Sequence, residues 1–183
     1  MKALAEDLRR DLLAYPEVSS AEIVGARDYD AGHSNEGAAF VFLGGGLGMA
    51  DGGPATAGAQ LEGGQEESFL GTSVSGAGDV NGDGYADVIL GARLYGNGQP
   101  EEGAAFIYHG SASGIESDPS WVIEADVENA YLGGGSSVAT AGDVNGDGFD
   151  DLLIGAPLAD GEAGYRSSAG DSYVVFGGAG LSG

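Results

Sequence analysis

The chain has 183 residues, enough for one ordinary domain, and carries 29 acidic against 6 basic residues for a formal charge of −23. So acidic a surface repels nucleic acid and anionic lipid, which excludes both as natural partners. There is no cysteine for a disulfide or thiolate site and no run of about 20 apolar residues that would insert in a membrane, while an apolar content of 42% argues against disorder.

Residues 1–14 predict a short amphipathic helix, with Leu4, Leu8 and Leu12 recurring every fourth residue and Pro16 ending it. Glu6 and Asp7 put charge where a signal peptide would be apolar. This leader, residues 1–20, resembles nothing downstream. It reads either as a cap over an apolar edge or as an arbitrary extension.

From residue 21 the sequence repeats, which calls for a repeat architecture first. Apolar runs precede Gly25-Ala26-Arg27, Gly91-Ala92-Arg93 and Gly155-Ala156-Pro157. Each is followed by a polar loop (residues 27–36, 94–102 and 158–169) and a second strand. Those strands are Ala38-Ala39-Phe40-Val41-Phe42, Ala104-Ala105-Phe106-Ile107-Tyr108 and Asp171-Ser172-Tyr173-Val174-Val175. A weaker strand is clear at Trp121-Val122-Ile123-Glu124 and poor at Gln60-Leu61-Glu62. An aromatic-Leu-Gly signature comes next, Phe69-Leu70-Gly71 and then Tyr131-Leu132-Gly133. Short strands with glycine corners and no helical period between them predict an all-β fold of four-stranded antiparallel β-propeller blades. About three blades are expected: residues 21–64 without a metal loop, 65–126 complete, and 127–183 without its last strand. A propeller needs roughly 4–8 blades to close. The chain is therefore expected to be a fragment of a larger propeller, to assemble head to tail, or to borrow a strand.

A nine-residue loop stands before two of the apolar runs. The first copy is Asp79-Val80-Asn81-Gly82-Asp83-Gly84-Tyr85-Ala86-Asp87 and the second Asp143-Val144-Asn145-Gly146-Asp147-Gly148-Phe149-Asp150-Asp151. Oxygen side chains at the first, third, fifth and ninth positions can converge on a hard cation, with glycine at the sixth freeing the backbone. This predicts two Ca²⁺ sites. Asp79, Asn81, Asp83 and Asp87, with the Tyr85 carbonyl, would serve one; Asp143, Asn145, Asp147 and Asp151, with the Phe149 carbonyl, the other. Asp150 is expected to point away. An EF-hand is excluded, because its twelfth position needs Glu and here holds Leu90 or Ile154. The turn without metal is the plainer alternative.

The Phe-Leu-Gly, Asp-rich loop and Gly-Ala-Pro elements together resemble the FG-GAP repeats of integrin α subunits, of bacterial surface proteins and of a phospholipase D. The resemblance covers about residues 21–183. It implies a propeller, structural Ca²⁺ in strand-connecting loops, and an extracellular or cell-surface location. It also implies a protein ligand or adhesion partner, or else an accessory role beside a secreted hydrolase. It departs from the family at Arg93, which replaces the Pro, and at residues 13–21, which offer only Glu17 where a first metal loop would lie. No catalysis is expected: His33 and His109 stand in no nucleophilic motif, and there is no phosphate-binding or dinucleotide loop. The polar loops with Tyr29, Tyr95 and Tyr165 are candidate recognition surfaces, unless those rings pack between blades.

Overall fold

A computed structural model describes residues 20–44, 53–159 and 169–180. The expected helix over residues 1–14 and Tyr165, with most of its polar loop, lie outside the described residues.

Among the described residues the strands form three antiparallel sheets of three or four strands and one two-stranded hairpin. The first joins β1 (Ser20–Ala26), β2 (Ala38–Gly44) and β3 (Ala59–Glu62) in chain order, so the poor strand signal at Gln60-Leu61-Glu62 is a strand after all. The second joins β4 (Leu70–Gly78), β5 (Asp87–Ala92), β6 (Ala104–Tyr108) and β9 (Trp121–Glu124). A two-stranded hairpin, β7 (Gly110–Ser111) and β8 (Gly114–Ile115), interrupts the path from β6 to β9. The third joins β10 (Val138–Gly142), β11 (Asp151–Ala156) and β12 (Asp171–Val175). A single 3-10 turn, Pro54–Thr56, precedes β3.

The strand period of two explains the stacking. Along β5 and β6, Val88, Leu90, Ala92, Ala104, Phe106 and Tyr108 join Ala39, Val41 and Leu61 of the first sheet in one core. The alternate residues Ile89, Ala105 and Ile107 join Leu152, Ile154 and Ala156 of the third sheet in another. All six residues of β5 are buried, because the middle sheet is covered on both faces. Burying each of its larger side chains is worth about 1.5–3 kcal/mol. The outer sheets are covered on one face only: β12 alternates half-buried and exposed positions, and Val174 is 49% and Phe176 55% exposed. Three antiparallel sheets of three to four strands, packed face against face, fit a partial propeller-like arrangement.

The aromatic-Leu-Gly signature makes the joint between sheets. Leu70 and Leu132 are buried to within 1% and form parallel bridges to Gly37 and Gly103 of the preceding sheet. A β-carbon at Gly37 would run into the Leu70 backbone, and its φ of +77° is itself a glycine conformation. Phe69 and Tyr131 adopt φ of 56° and 54°, unusual for aromatic residues. Their rings are held from the side: Arg93 lies 5.3 Å over Phe69, and the Tyr131 hydroxyl donates to Glu101 at 2.6 Å.

Candidate metal centres

Each Asp-rich loop ties itself into one turn by the same bonds. Asp79 Oδ1 accepts the amides of Gly82 (2.8 Å) and Asp83 (3.1 Å), and its Oδ2 that of Gly84 (2.9 Å). Asn81 Oδ1 accepts the Asp83 amide, and Asp83 Oδ1 the Tyr85 amide, both at 2.9 Å. The second loop repeats the pattern: Asp143 accepts from Gly146, Asp147 and Gly148, Asn145 from Asp147, and Asp147 from the Phe149 amide. These side chains are drawn to one small turn by the backbone, with Gly82 and Gly84 at φ of 75° and 89° supplying the curvature.

The ninth position plays a different part. Asp87 is fully buried and bridges the turn to the chain after β6, accepting the amides of Val80 (2.9 Å) and Gly110 (2.8 Å). Burial pushes its carboxyl up to about 7, against the pull of those two amides, and the charges of Asp83 and Asp79 push the same way. Asp151, also fully buried, repeats the bridge to Val144 and Gly177 at 2.9 Å each.

The donor set suits a hard cation. Each loop offers three carboxylates and an amide oxygen, and no described basic side chain pairs with them. An oxygen that accepts one amide keeps a second lone pair, and a buried carboxylate is costly without a counter-charge. By donor chemistry, though not by convergence in this structure, the residues of both loops could hold Ca²⁺. The structure does not bring the three carboxylates of either loop within 4.8 Å of one another. Among the described residues the trio whose oxygens lie within 4.8 Å of one another is Glu102, Glu124 and Asp126. Sequence reasoning missed it, having weighed none of these residues as a ligand.

The two loops also touch. Asp150 leaves its own turn, as expected, but it has a partner: its Oδ2 accepts the Asp79 amide at 2.8 Å, and its amide donates to the Asp79 carbonyl at 3.1 Å. The Gly178 amide donates to the Val80 carbonyl at 2.8 Å. The first loop is thus sealed by the third sheet.

At the opposite end of the sheets, the aromatics of the polar loops pack inward. Tyr29 meets Phe40 and Tyr95 meets Phe106, each edge-on at 5.2 Å. Tyr95 also packs against the core shared by the first and second sheets, the packing role that the sequence left open beside recognition. His33 is bonded to Glu36, with Nδ1 at 3.3 Å from Oε2. His109 has a buried Nε2 with no hydrogen-bond partner.

Repeated antiparallel sheets, two of them with a tight Asp/Asn/Gly turn between their first two strands, fit part of a propeller-like repeat arrangement. The FG-GAP repeat model matches residues 70–108 and 134–175, which cover β4 to β6 and β10 to β12. The chain is similar to integrin alpha-PS5 of Drosophila melanogaster, 34% identical over 172 residues, covering 90% of this chain and 15% of that protein. It is 38% identical to Drosophila integrin alpha-PS3 over 102 residues (54% of this chain, 9% of the relative). It is also 38% identical to integrin alpha-7 of Rattus norvegicus over 104 residues (57% and 8%). The chain carries FG-GAP repeats over those residues and is homologous to part of integrin α subunits. It spans 15% or less of the length of these three relatives. Among the described residues no helix is long and apolar enough to cross a membrane.

Proposed function

We propose that this domain is a calcium-stabilised FG-GAP propeller segment that serves protein–protein interaction or adhesion at the cell surface or outside the cell. Its blades divide at residues 21–64, 65–126 and 127–183. The uncovered faces of the outer blades are met by further blades, from a longer chain or from head-to-tail copies. Two Ca²⁺ ions are structural: Asp79, Asn81, Asp83, Asp87 and the Tyr85 carbonyl hold one, and Asp143, Asn145, Asp147, Asp151 and the Phe149 carbonyl the other. The observation that carries the reading is the bond-for-bond repetition of one turn in two blades, with a buried Asp at the end of each. Each ion offsets the repulsion among three carboxylates and fixes its turn to the strand that follows. Affinity on the order of 10⁻⁴–10⁻³ M is expected, the range of extracellular calcium modules. The protein ligand is met by the loop-bearing end that carries residues 27–36 and 94–102.

Calcium titration of the chain and of Asp83→Ala/Asp147→Ala tests the metal sites. The reading expects the double variant to bind two fewer ions than the parent. An equal stoichiometry in the two proteins would refute it.

A further inference from the structure

The blades carry an equivalent glutamate that meets two different fates. Glu36 stands just before Gly37 and β2, and Glu102 just before Gly103 and β6; both are buried, at 2% and 0% exposure. Glu36 is saturated. Its Oε1 accepts the amides of Ala31, Gly32 and His33, and its Oε2 accepts the Gly64 amide at 3.1 Å and faces His33 Nδ1. Burial pushes this carboxyl up, yet the His33, Gly32 and Ala31 bonds outweigh it and hold it down at about 2.

Glu102 is left open. Its Oε1 accepts one amide, from Asn97 at 2.5 Å. Its Oε2 is buried with no hydrogen-bond partner. The place that Gly64 holds in the first blade belongs here to Asp126, and φ is positive at both, 63° and 54°. The last strand ends in Glu124, opposite Ala104, as β3 ends in Glu62 opposite Ala38. In place of a neutral amide donor, Glu102 thus faces two further carboxylates, with one oxygen of each within 4.8 Å. Asn97 Nδ2 lies 3.0 and 3.3 Å from the two Glu124 oxygens. No described basic side chain pairs with the trio. A buried carboxylate oxygen with neither donor nor counter-charge is unfavourable.

We propose that Glu102, Glu124 and Asp126 form a divalent-cation site for Ca²⁺, at the end of the second blade opposite the Asp-rich turns. The fully buried carboxylate supplies the base of the site. Glu124, half-buried, and Asp126, exposed, close it while leaving room for water. Turning the Asn97 amide over presents its oxygen as a fourth ligand, a change invisible in the heavy-atom shape of the group. Ca²⁺ suits such an irregular set of hard oxygens, whereas Mg²⁺ demands a regular octahedron. The ion would tie the polar loop of residues 94–102 to the end of β9 and to the link leading into the third blade. The site does not depend on the loop sites, since it shares no residue with them.

Isothermal calorimetry of the chain with Ca²⁺ alone tests this, comparing the parent with Glu124→Gln/Asp126→Asn. Both changes keep side-chain shape and lie toward the surface. The proposal expects one equivalent of Ca²⁺ fewer in the variant, with the remaining binding unaltered. Equal stoichiometry overturns it, including the case in which neither protein binds. Were the two loops not to bind, the parent would take one equivalent and the variant none, so the two readings fail separately. Asp126→Asn by itself, an exposed change that cannot threaten folding, is expected to weaken one class of site at least ~10-fold; unaltered affinity in all classes counts against the site.

Discussion

The first and second Asp-rich loops share a sequence pattern and a bonding pattern, yet they live in different surroundings. Val80 is 0% exposed and Val144, at the same place in its loop, is 57% exposed. Gly82 lies against the Phe149 ring, where a β-carbon would collide, whereas nothing lies within 4 Å of one at Gly146. The cause is position in the stack. The first loop is covered by the third blade, through Phe149, Asp150 and Gly178, and no described blade follows to cover the second. Local sequence dictates the turn; the next blade decides what the turn is worth.

That contrast can be broken by paired substitutions. Gly82→Ala is expected to cost about 3 kcal/mol, from a clash with Phe149 added to the strain of positive φ. Gly146→Ala should cost about 1 kcal/mol, the backbone strain alone. Urea melts of the two variants give the difference directly, and equal losses would mean that the loops are not in unlike settings. Val80→Ala is expected to cost about 2 kcal/mol through its cavity, against less than about 0.5 kcal/mol for exposed Val144→Ala; the same melts decide. Smaller still, Asp150→Ala should cost about 1–2 kcal/mol by stranding the Asp79 amide. Hydrogen exchange at Asp79 should quicken in that variant, and unchanged exchange would deny the bond its part in sealing the first loop.

Much of this architecture was legible in the chain. The apolar runs of β5 and β11 and the Gly-Ala-Ala-Phe pattern of β2 and β6 are strands as their composition predicts. The loop motif, with its fixed glycines, specifies the turn by residues close in sequence. What was not legible depends on residues far apart. Asp150 reads as one more acid in an acidic loop until the neighbouring turn brings the Asp79 amide to it. Glu36 and Glu102 stand at the ends of polar loops, and both are buried once β3 and β9 fold against their strands. Even the exposure of Val174 on β12 is invisible locally, since Val174 and Ile107 occupy like places in like strands. Ile107 is buried because a blade covers it. The repetition of Glu before Gly-Ala-Ala-Phe, at residues 36 and 102, was the signal available for the second acidic cluster.

The central claim is that divalent ions pin these acidic turns to the strands they precede. The most direct measurement is the thermal midpoint of the chain in 10 mM Ca²⁺ against excess EGTA at matched ionic strength. Two structural sites of the expected affinity predict a midpoint about 5–20 °C higher with Ca²⁺. Coincident midpoints in the two buffers would contradict the account.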